Sequence, residues 1–274
     1  GVKKKSKFAC VTIRDSDYLK KEFPSKNFSY HDYRNTDLKK FIPAIKLMAK
    51  NEYIVFRMGK HTSKKLSIKN PRIIDYANSK FRSDFLDVYL AAKCDFHFAS
   101  STGLQNITEI FKKPQGVLVM PVGSGMISYK EKTICLTKNH FDTKRNKKLT
   151  LKEIFNYNVA SALSSKEFKK NKIFLQQNSA KEIKNLAFDL INCINKNWQI
   201  SKKEKILQNK FKKIFLQQHM KLVNNNSKSD YYNEGKNIIN SDSFWRHSFN
   251  YPTHGKILCN YSYTYLKNNK WWLN

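Results

Sequence analysis

Four short apolar runs recur at intervals along the first 121 residues: "FACVTI" (8–13), "YIVFRMG" (53–59), "DFHFAS" (95–100) and "GVLVMP" (116–121). Each is too short for a helix of ordinary length and apolar at nearly every position, the pattern of a strand buried on both faces. The segments between them carry helical spacing. "TDLKKFIPAIKLMAKN" places Leu38, Phe41, Ile42, Ile45, Met48 and Ala49 on one side behind a predicted Asn35/Thr36 cap, with Pro43 weakening its first turns. "SDFLDVYLAAKC" reads as a helix capped by Ser83 with Asp84 in its first turn, and "TGLQNITEIFKK" as a third helix. With "PRIIDYA" as a short additional strand, this β-α-β-α order predicts an α/β fold: a Rossmann-like parallel sheet with helices on both faces. At 274 residues and 40% hydrophobic, the chain can bury the core such a sheet requires.

The rest of the chain reads as a strand "TICLTK", a helix "TLKEIFNYNV" and a strand "KIFLQQ". Two capping-box openings follow, "SAKE" at Ser179–Glu182 and "SKKE" at Ser201–Glu204. "GSG" at Gly123–Gly125 reads as a flexible loop, and Asn224–Ser229 as a surface loop. The aromatic-rich tail is expected to dock on the body. There is no internal repeat. The expected organisation is an α/β domain over 1–196 and a helical, aromatic-rich C-terminal extension over 197–274.

Polar clusters stand at the predicted strand ends, where parallel sheets bind ligands. "DFHFAS" runs into Ser100, Ser101, Thr102 and Gly103, offering hydroxyls and free backbone N–H groups at a helix N-terminus, a geometry suited to phosphate. A plain Ser/Thr cap explains the same residues. Arg14 follows the first strand, where a guanidinium can bind phosphate bidentately or pair with Asp15 or Asp84. "SYHDYRN" gathers His31, Asp32 and Arg34 in one loop, and "RMGK" places Arg57 and Gly59 just past the second strand. Together these clusters predict an anion-binding crevice.

The formal net charge of +31 suggests anionic partners. Only seven of the 52 basic residues are arginine, and the lysines are dispersed along the chain. Arginine dominates base-edge and bidentate phosphate contacts, so nucleic acid is not the expected main ligand. Five cysteines without close spacing (Cys10, Cys94, Cys135, Cys193, Cys259) suit reduced thiols better than a disulfide or metal framework. No run of eighteen apolar residues and no secretory leader is present, and the first residue is Gly, so an N-terminal portion is expected to be missing. The absence of GxGxxG, GxxxxGK[ST] and GxSxG disfavours the common dinucleotide enzymes, P-loop kinases and serine hydrolases. "DSD" at Asp15–Asp17 matches a metal-binding DxD pattern formally, but only one strand precedes it, and no metal is assigned.

The stretches "RDSDYL", "SYHDYRN", "FRMGK", "IIDYANSKFRSDFLDVYLAAKCDFHFASSTG", "LTLKEIF" and "QQNSAKEI" resemble a family of bacterial glycosyltransferases associated with surface-polysaccharide synthesis. The resemblance runs from about Phe8 to Lys196. More distantly the chain is similar to the donor-binding half of GT-B enzymes, including the GDP-fucose O-fucosyltransferases, though Thr12 stands where those tend to have a histidine. The resemblance implies a GT-B C-terminal-type domain whose N-terminal acceptor domain is absent here. It further implies a nucleotide-sugar substrate, a glycan or lipid-linked acceptor, no cofactor, and a cytoplasmic location, peripheral at the inner membrane, where the lysine-rich surface favours an anionic lipid surface or acidic glycan as partner. Arg14 with Ser100, Ser101 and Thr102 then takes the diphosphate, Arg34 or Arg57 adds charge, His31 or Asp15 serves as base, and Asp75 and Asp84 support the site or bind ribose. The competing expectation is a non-catalytic basic module for nucleic acid or acidic glycan, with affinity spread over many lysines.

Overall fold

The first strand shows how the sheet is covered. In β1 (Phe8–Thr12) the side chains alternate: Ala9 and Val11 enter one apolar cluster, and Cys10 enters another on the opposite face. Ala9, Cys10 and Val11 are all fully buried, so both faces of the sheet are covered. The computed structural model describes residues 6–62, 64–119, 122, 126–128, 132–157, 159–160, 162, 164–195, 198–226 and 257–274. The "GSG" stretch lies outside the described residues.

After β1 come a short helix α1 (Asp17–Glu22), a 3₁₀ turn over Ser29–Arg34, and helix α2 (Leu38–Lys50). Strands β2 (Ile54–Met58) and β3 (Ile73–Ile74) follow, then α3 (Asp84–Lys93), β4 (Phe96–Ala99), α4 (Gly103–Ile110) and β5 (Gln115–Val119). Further along lie β6 (Ile127–Ser128), β7 (Thr133–Thr137), β8 (Asn139–Asp142), β9 (Lys147–Lys148), α5 (Leu151–Asn156), α6 (Ser165–Lys170) and β10 (Ile173–Gln176). The chain ends with α7 (Ala180–Ile194), α8 (Lys202–Asn226), β11 (Ile257–Leu258), β12 (Asn260–Tyr261), α9 (Tyr263–Asn268) and a 3₁₀ turn over Lys270–Leu273.

Seven strands form one parallel sheet in the order β12-β7-β5-β4-β1-β2-β3. This is a doubly wound, Rossmann-like α/β fold: the chain winds from β1 outward through β2 and β3, then returns to place β4 on the other side of β1. Between β1 and β4 the winding reverses, and the two following connections leave to opposite sides. β8, β9 and β10 form a separate antiparallel sheet, and β6 pairs with β11.

Helices α2 and α7 cover one face, with Phe41, Ile45, Met48, Ile183 and Leu186 against Val11 and Phe98. Each such side chain, fully buried, contributes about 1.5–3 kcal/mol. Leu86 and Leu90 of α3 with Leu104 of α4 cover the other face over Cys10, Phe56 and Met58.

Three helix starts follow the capping chemistry of the sequence. Ser83 Oγ accepts from Leu86 N–H, and Thr150/Glu153 and Ser179/Glu182 form reciprocal capping boxes. Ser201 and Glu204 exchange the same pair of bonds. The cap of α2 differs from the expected Asn35/Thr36: Asp37 supplies it, its carboxylate accepting from Lys39 N–H, and the helix runs through Pro43. "SYHDYRN" is a 3₁₀ turn instead of an open loop. "PRIIDYA" contributes only two strand residues, because Tyr76 turns into a 3₁₀ turn with its hydroxyl bonded to Ser83.

Residues on both sides of 196 build one core. Phe211 and Phe215 of α8 pack with Phe155, Tyr261 and Trp272, and β12 is itself the outermost strand beside β7. Asp189 of α7 holds this end in place, accepting from Ser262 Oγ, Thr264 Oγ1 and Thr264 N–H. The predicted loop at Asn224–Ser229 begins later than expected, since α8 continues to Asn226; the remainder lies outside the described residues. Among the described residues no helix is long and apolar enough to cross a membrane.

Candidate functional site

At the reversal between β1 and β4 the carboxyl ends of the two strands are tied together. Arg14 N–H donates to Ser100 Oγ at 2.7 Å, and Ser100 N–H donates to Thr12 O at 3.0 Å. Arg14 O accepts from Thr36 N–H at 3.1 Å. The backbone of Arg14 is therefore fixed from both sides, which leaves the side chain to be aimed by its own rotamer.

The Arg14 guanidinium is partly buried, and its Nε is sequestered without a hydrogen-bond partner. Burial, then the neighbouring Arg34 charge, lowers its pKa. Arg34 reaches the same region from the 3₁₀ turn: its Nη2 donates to Ser101 O at 2.9 Å, and its Nε too is buried without a partner. Arg14 and Arg34 are thus close enough for one charge to weaken the other, and each keeps a buried Nε without a hydrogen-bond partner, as Arg57 and Arg82 also do.

The N-terminus of α4 completes the positive wall. Thr102 stands in the N-cap position with extended backbone (φ −125°), yet its side chain makes no cap bond and its Oγ1 is buried without a partner. The first N–H groups of α4 thus lack the side-chain acceptor that Ser83, Thr150 and Ser179 provide elsewhere in this molecule. Ser101 has φ of +28°, a sparsely populated conformation for a residue with a Cβ. Gly103 is exposed, and a Cβ built on it would touch nothing, so the surface above the helix end is open.

A cavity of about 360 Å³ adjoins Arg14, walled by Lys20 of α1, by Phe28, Ser29 and His31, and by Asn35. His31 packs against Tyr30 with ring centroids 4.1 Å apart and the planes tilted by 41°, and its Nδ1 is buried without a partner. Burial, followed by the Arg34 and Arg14 charges, holds the imidazole below its ordinary pKa. At neutral pH it is an uncharged ring able to accept a proton.

Lys138, at the end of β7, was not among the residues that sequence reasoning selects. It is 5% exposed, and its Nζ donates to Tyr33 O and Asn35 O, both at 2.7 Å. This ammonium holds the 3₁₀ turn that carries His31 and Arg34. Burial, then the charge of Lys40, depresses its pKa to about 8. The signal available in the sequence was the one that singled out Arg14, a cation directly after an apolar strand.

The remaining predicted residues lie elsewhere. Arg57, 1% exposed, donates to Thr62 Oγ1 at 2.7 Å and to Asp75 Oδ1 at 3.1 Å, so its charge is compensated inside the fold. Gly59, at φ +135°, makes the turn that lets this pair form. Asp84 sits exposed on the first turn of α3 and pairs with Arg82, as Asp87 does. Asp15 accepts from Asp17 N–H at 3.0 Å, a turn that opens α1. Among the described residues no group of three or more His, Cys, Asp or Glu side chains is arranged to hold a metal ion.

Beneath the site Thr12 Oγ1 bonds His97 Nε2 at 2.7 Å, and His97 Nδ1 bonds Thr108 Oγ1 at 2.9 Å. His97 is wholly buried, and its pKa falls to about 3, so it links β1, β4 and α4 as a neutral ring. Comparison with protein-family models, curated proteins and solved structures gives no match for this chain.

Proposed function

We propose that the crevice at the β1/β4 reversal binds a nucleoside-diphosphate sugar and that the protein is a glycosyltransferase. The acceptor is a hydroxyl of a glycan or of a lipid-linked sugar. The observation that carries this reading is that Arg14 and Arg34, neither in an ion pair with a carboxylate among the described residues as Arg57 and Arg82 are, both bond the Ser100–Ser101 segment directly before the uncapped end of α4. Sites of this kind bind phosphate oxygens through charge-assisted bonds of about 1.5–3 kcal/mol each.

In the proposed reaction the acceptor oxygen attacks the anomeric carbon while the bond from that carbon to the diphosphate oxygen breaks. The negative charge appearing on the diphosphate is met by Arg14, Arg34 and the α4 N-terminus, groups already oriented before the reaction begins. The acceptor proton passes to His31, whose imidazole is held below its ordinary pKa by burial and then by the Arg34 and Arg14 charges. A bound diphosphate offsets the two arginine charges that depress His31, so substrate binding makes this base stronger. Asp15 is less suited to the base role, because it serves the α1 turn.

Calorimetric titration with UDP, GDP, ADP and CMP, repeated with Arg14→Ala, tests the assignment. One nucleotide should bind saturably, and the variant should lose about 100-fold in affinity with an unchanged unfolding temperature. Equal affinity in the variant removes Arg14 from the site. Absence of nucleotide binding, together with a steeply salt-dependent affinity for polyanions, replaces the reading with a basic binding module.

A further inference from the structure

Helices α3 and α4 pack side by side on the face of the sheet opposite α2 and α7, and they turn apolar side chains outward as well as inward. The inward stripe is Leu86, Leu90 and Ala91. A second stripe, Phe85, Val88 and Tyr89, points away from the core at the i, i+3, i+4 spacing of one helix side. Phe85 is 74% exposed and stacks on Tyr89 with ring centroids 6.1 Å apart. Phe81, just before α3, is 68% exposed, and Ile110 and Phe111 at the end of α4 are 74% and 48% exposed. Six large apolar side chains, four on α3 and α4 and two flanking them, are more than a monomer's scattered surface hydrophobics, and such patches mark interaction sites.

The charges around the patch decide what covers it. Lys80 lies at the end where α3 begins, with Nζ 5.4 Å from the centroid of the Phe81 ring. Lys93, at the end of α3, and Lys112, just past α4, are exposed at the other end, with Lys113 beside them. Of the nearby acids, Asp84 and Asp87 of α3 are both held by Arg82 and Asp95 accepts from Phe8 N–H; Glu109, on α4, is the fourth. A second copy of this chain would bring another formal charge of +31 against the first. A negatively charged bilayer meets the same face with opposite sign. Aromatic rings between lysines suit the boundary of headgroups and acyl chains, where the rings enter and the ammonium groups remain at the phosphates.

We infer that the outer face of α3 and α4 docks the protein peripherally on an anionic lipid bilayer. The docking is independent of the reading of the crevice, since none of the six apolar residues lines it.

Vesicle flotation of the full chain tests this, with phosphatidylcholine alone and with about 30 mol % phosphatidylglycerol added. Binding should require the anionic lipid and weaken as salt is raised. The double variant Phe85→Ser, Tyr89→Ser, both positions exposed, should lose at least about tenfold in partitioning while unfolding at the same temperature. A control, Phe174→Ser on the small antiparallel sheet, 59% exposed in the parent, should bind as the parent does. Lack of binding to the anionic vesicles overturns the inference. So does undiminished binding by the double variant, which would assign attraction to dispersed lysine alone. A dimer seen by light scattering and dissolved by the double variant would instead make this face a contact between copies.

Discussion

The backbone N–H of Arg14 donates to Ser100 Oγ at 2.7 Å, joining the loop after β1 to the residue after β4 across the point where the sheet reverses its winding. Ser100 is 2% exposed, so its hydroxyl serves the fold and leaves the guanidinium of Arg14 to a ligand. Positioning and binding are divided between two residues that the sequence places in separate polar clusters, 86 residues apart.

Ser100→Ala should therefore leave the Arg14 N–H buried and unsatisfied, at a cost of about 1–3 kcal/mol. Urea denaturation would measure that loss directly. Nucleotide affinity should fall with it, because the arginine backbone is no longer held, whereas Ser100→Cys, which is similar in shape but a poor acceptor, should recover neither.

Acid should destabilise the protein well above the carboxylate range. His97 and His140 are buried neutral, with pKa values depressed to about 3 and about 4 by desolvation. Both take up protons near pH 6.5 when the chain unfolds. The unfolded state thus binds more protons below pH 6.5, and the stability present above that pH is lost as pH falls toward 4. Each histidine contributes about 1.4 kcal/mol per pH unit in that window, and His31, shifted in the same direction, adds to the slope. Urea midpoints between pH 6.5 and 5 should show this trend, and His97→Gln should flatten it by roughly one proton.

How much of this was legible in the sequence follows from where each signal originates. The strands of the sheet centre announce themselves because burial on both faces forces a local apolar run, as in "FACVTI" and "DFHFAS". The places of Arg14 after a strand and of Ser100–Gly103 at a strand end and helix start are legible because strand ends and helix starts are local features as well. The small elements were missed for the converse reason: α1 buries none of its residues and β12 is two residues long, so neither carries a period. Arg57 and Asp75, both proposed at strand ends, turn toward each other, and nothing in their spacing distinguishes a ligand-facing cation from a paired one. Lys138 lies over 100 residues from the turn it holds, a relation created only by the sheet order.

Lys138→Met tests that relation. Loss of the two bonds to Tyr33 O and Asn35 O should loosen the turn carrying His31 and Arg34 and weaken nucleotide binding by about tenfold. The pH profile provides an independent readout. With a folded pKa of about 8 against 10.5 unfolded, the unfolded chain holds the extra proton between those values, so stability should rise with pH across that interval. The rise should be absent in the variant, as read from urea midpoints at pH 8 and pH 9.5.

Gly103→Glu separates the anion-site reading from a purely structural account of the helix end. The space next to Gly103 is open, so the Cβ of the new side chain meets no atom within 4 Å. A carboxylate in the first turn of α4 interacts favourably with the helix dipole by about 0.3–1 kcal/mol, and replacing glycine inside a helix adds a similar amount. Thermal unfolding should therefore shift upward. Nucleoside-diphosphate affinity should nevertheless fall by about 100-fold or more, because the introduced charge occupies the position proposed for phosphate and pairs with Arg14 or Arg34. A variant that is more stable and still binds nucleotide with parental affinity would place the diphosphate away from α4 and leave the uncapped Thr102 without a ligand-binding role.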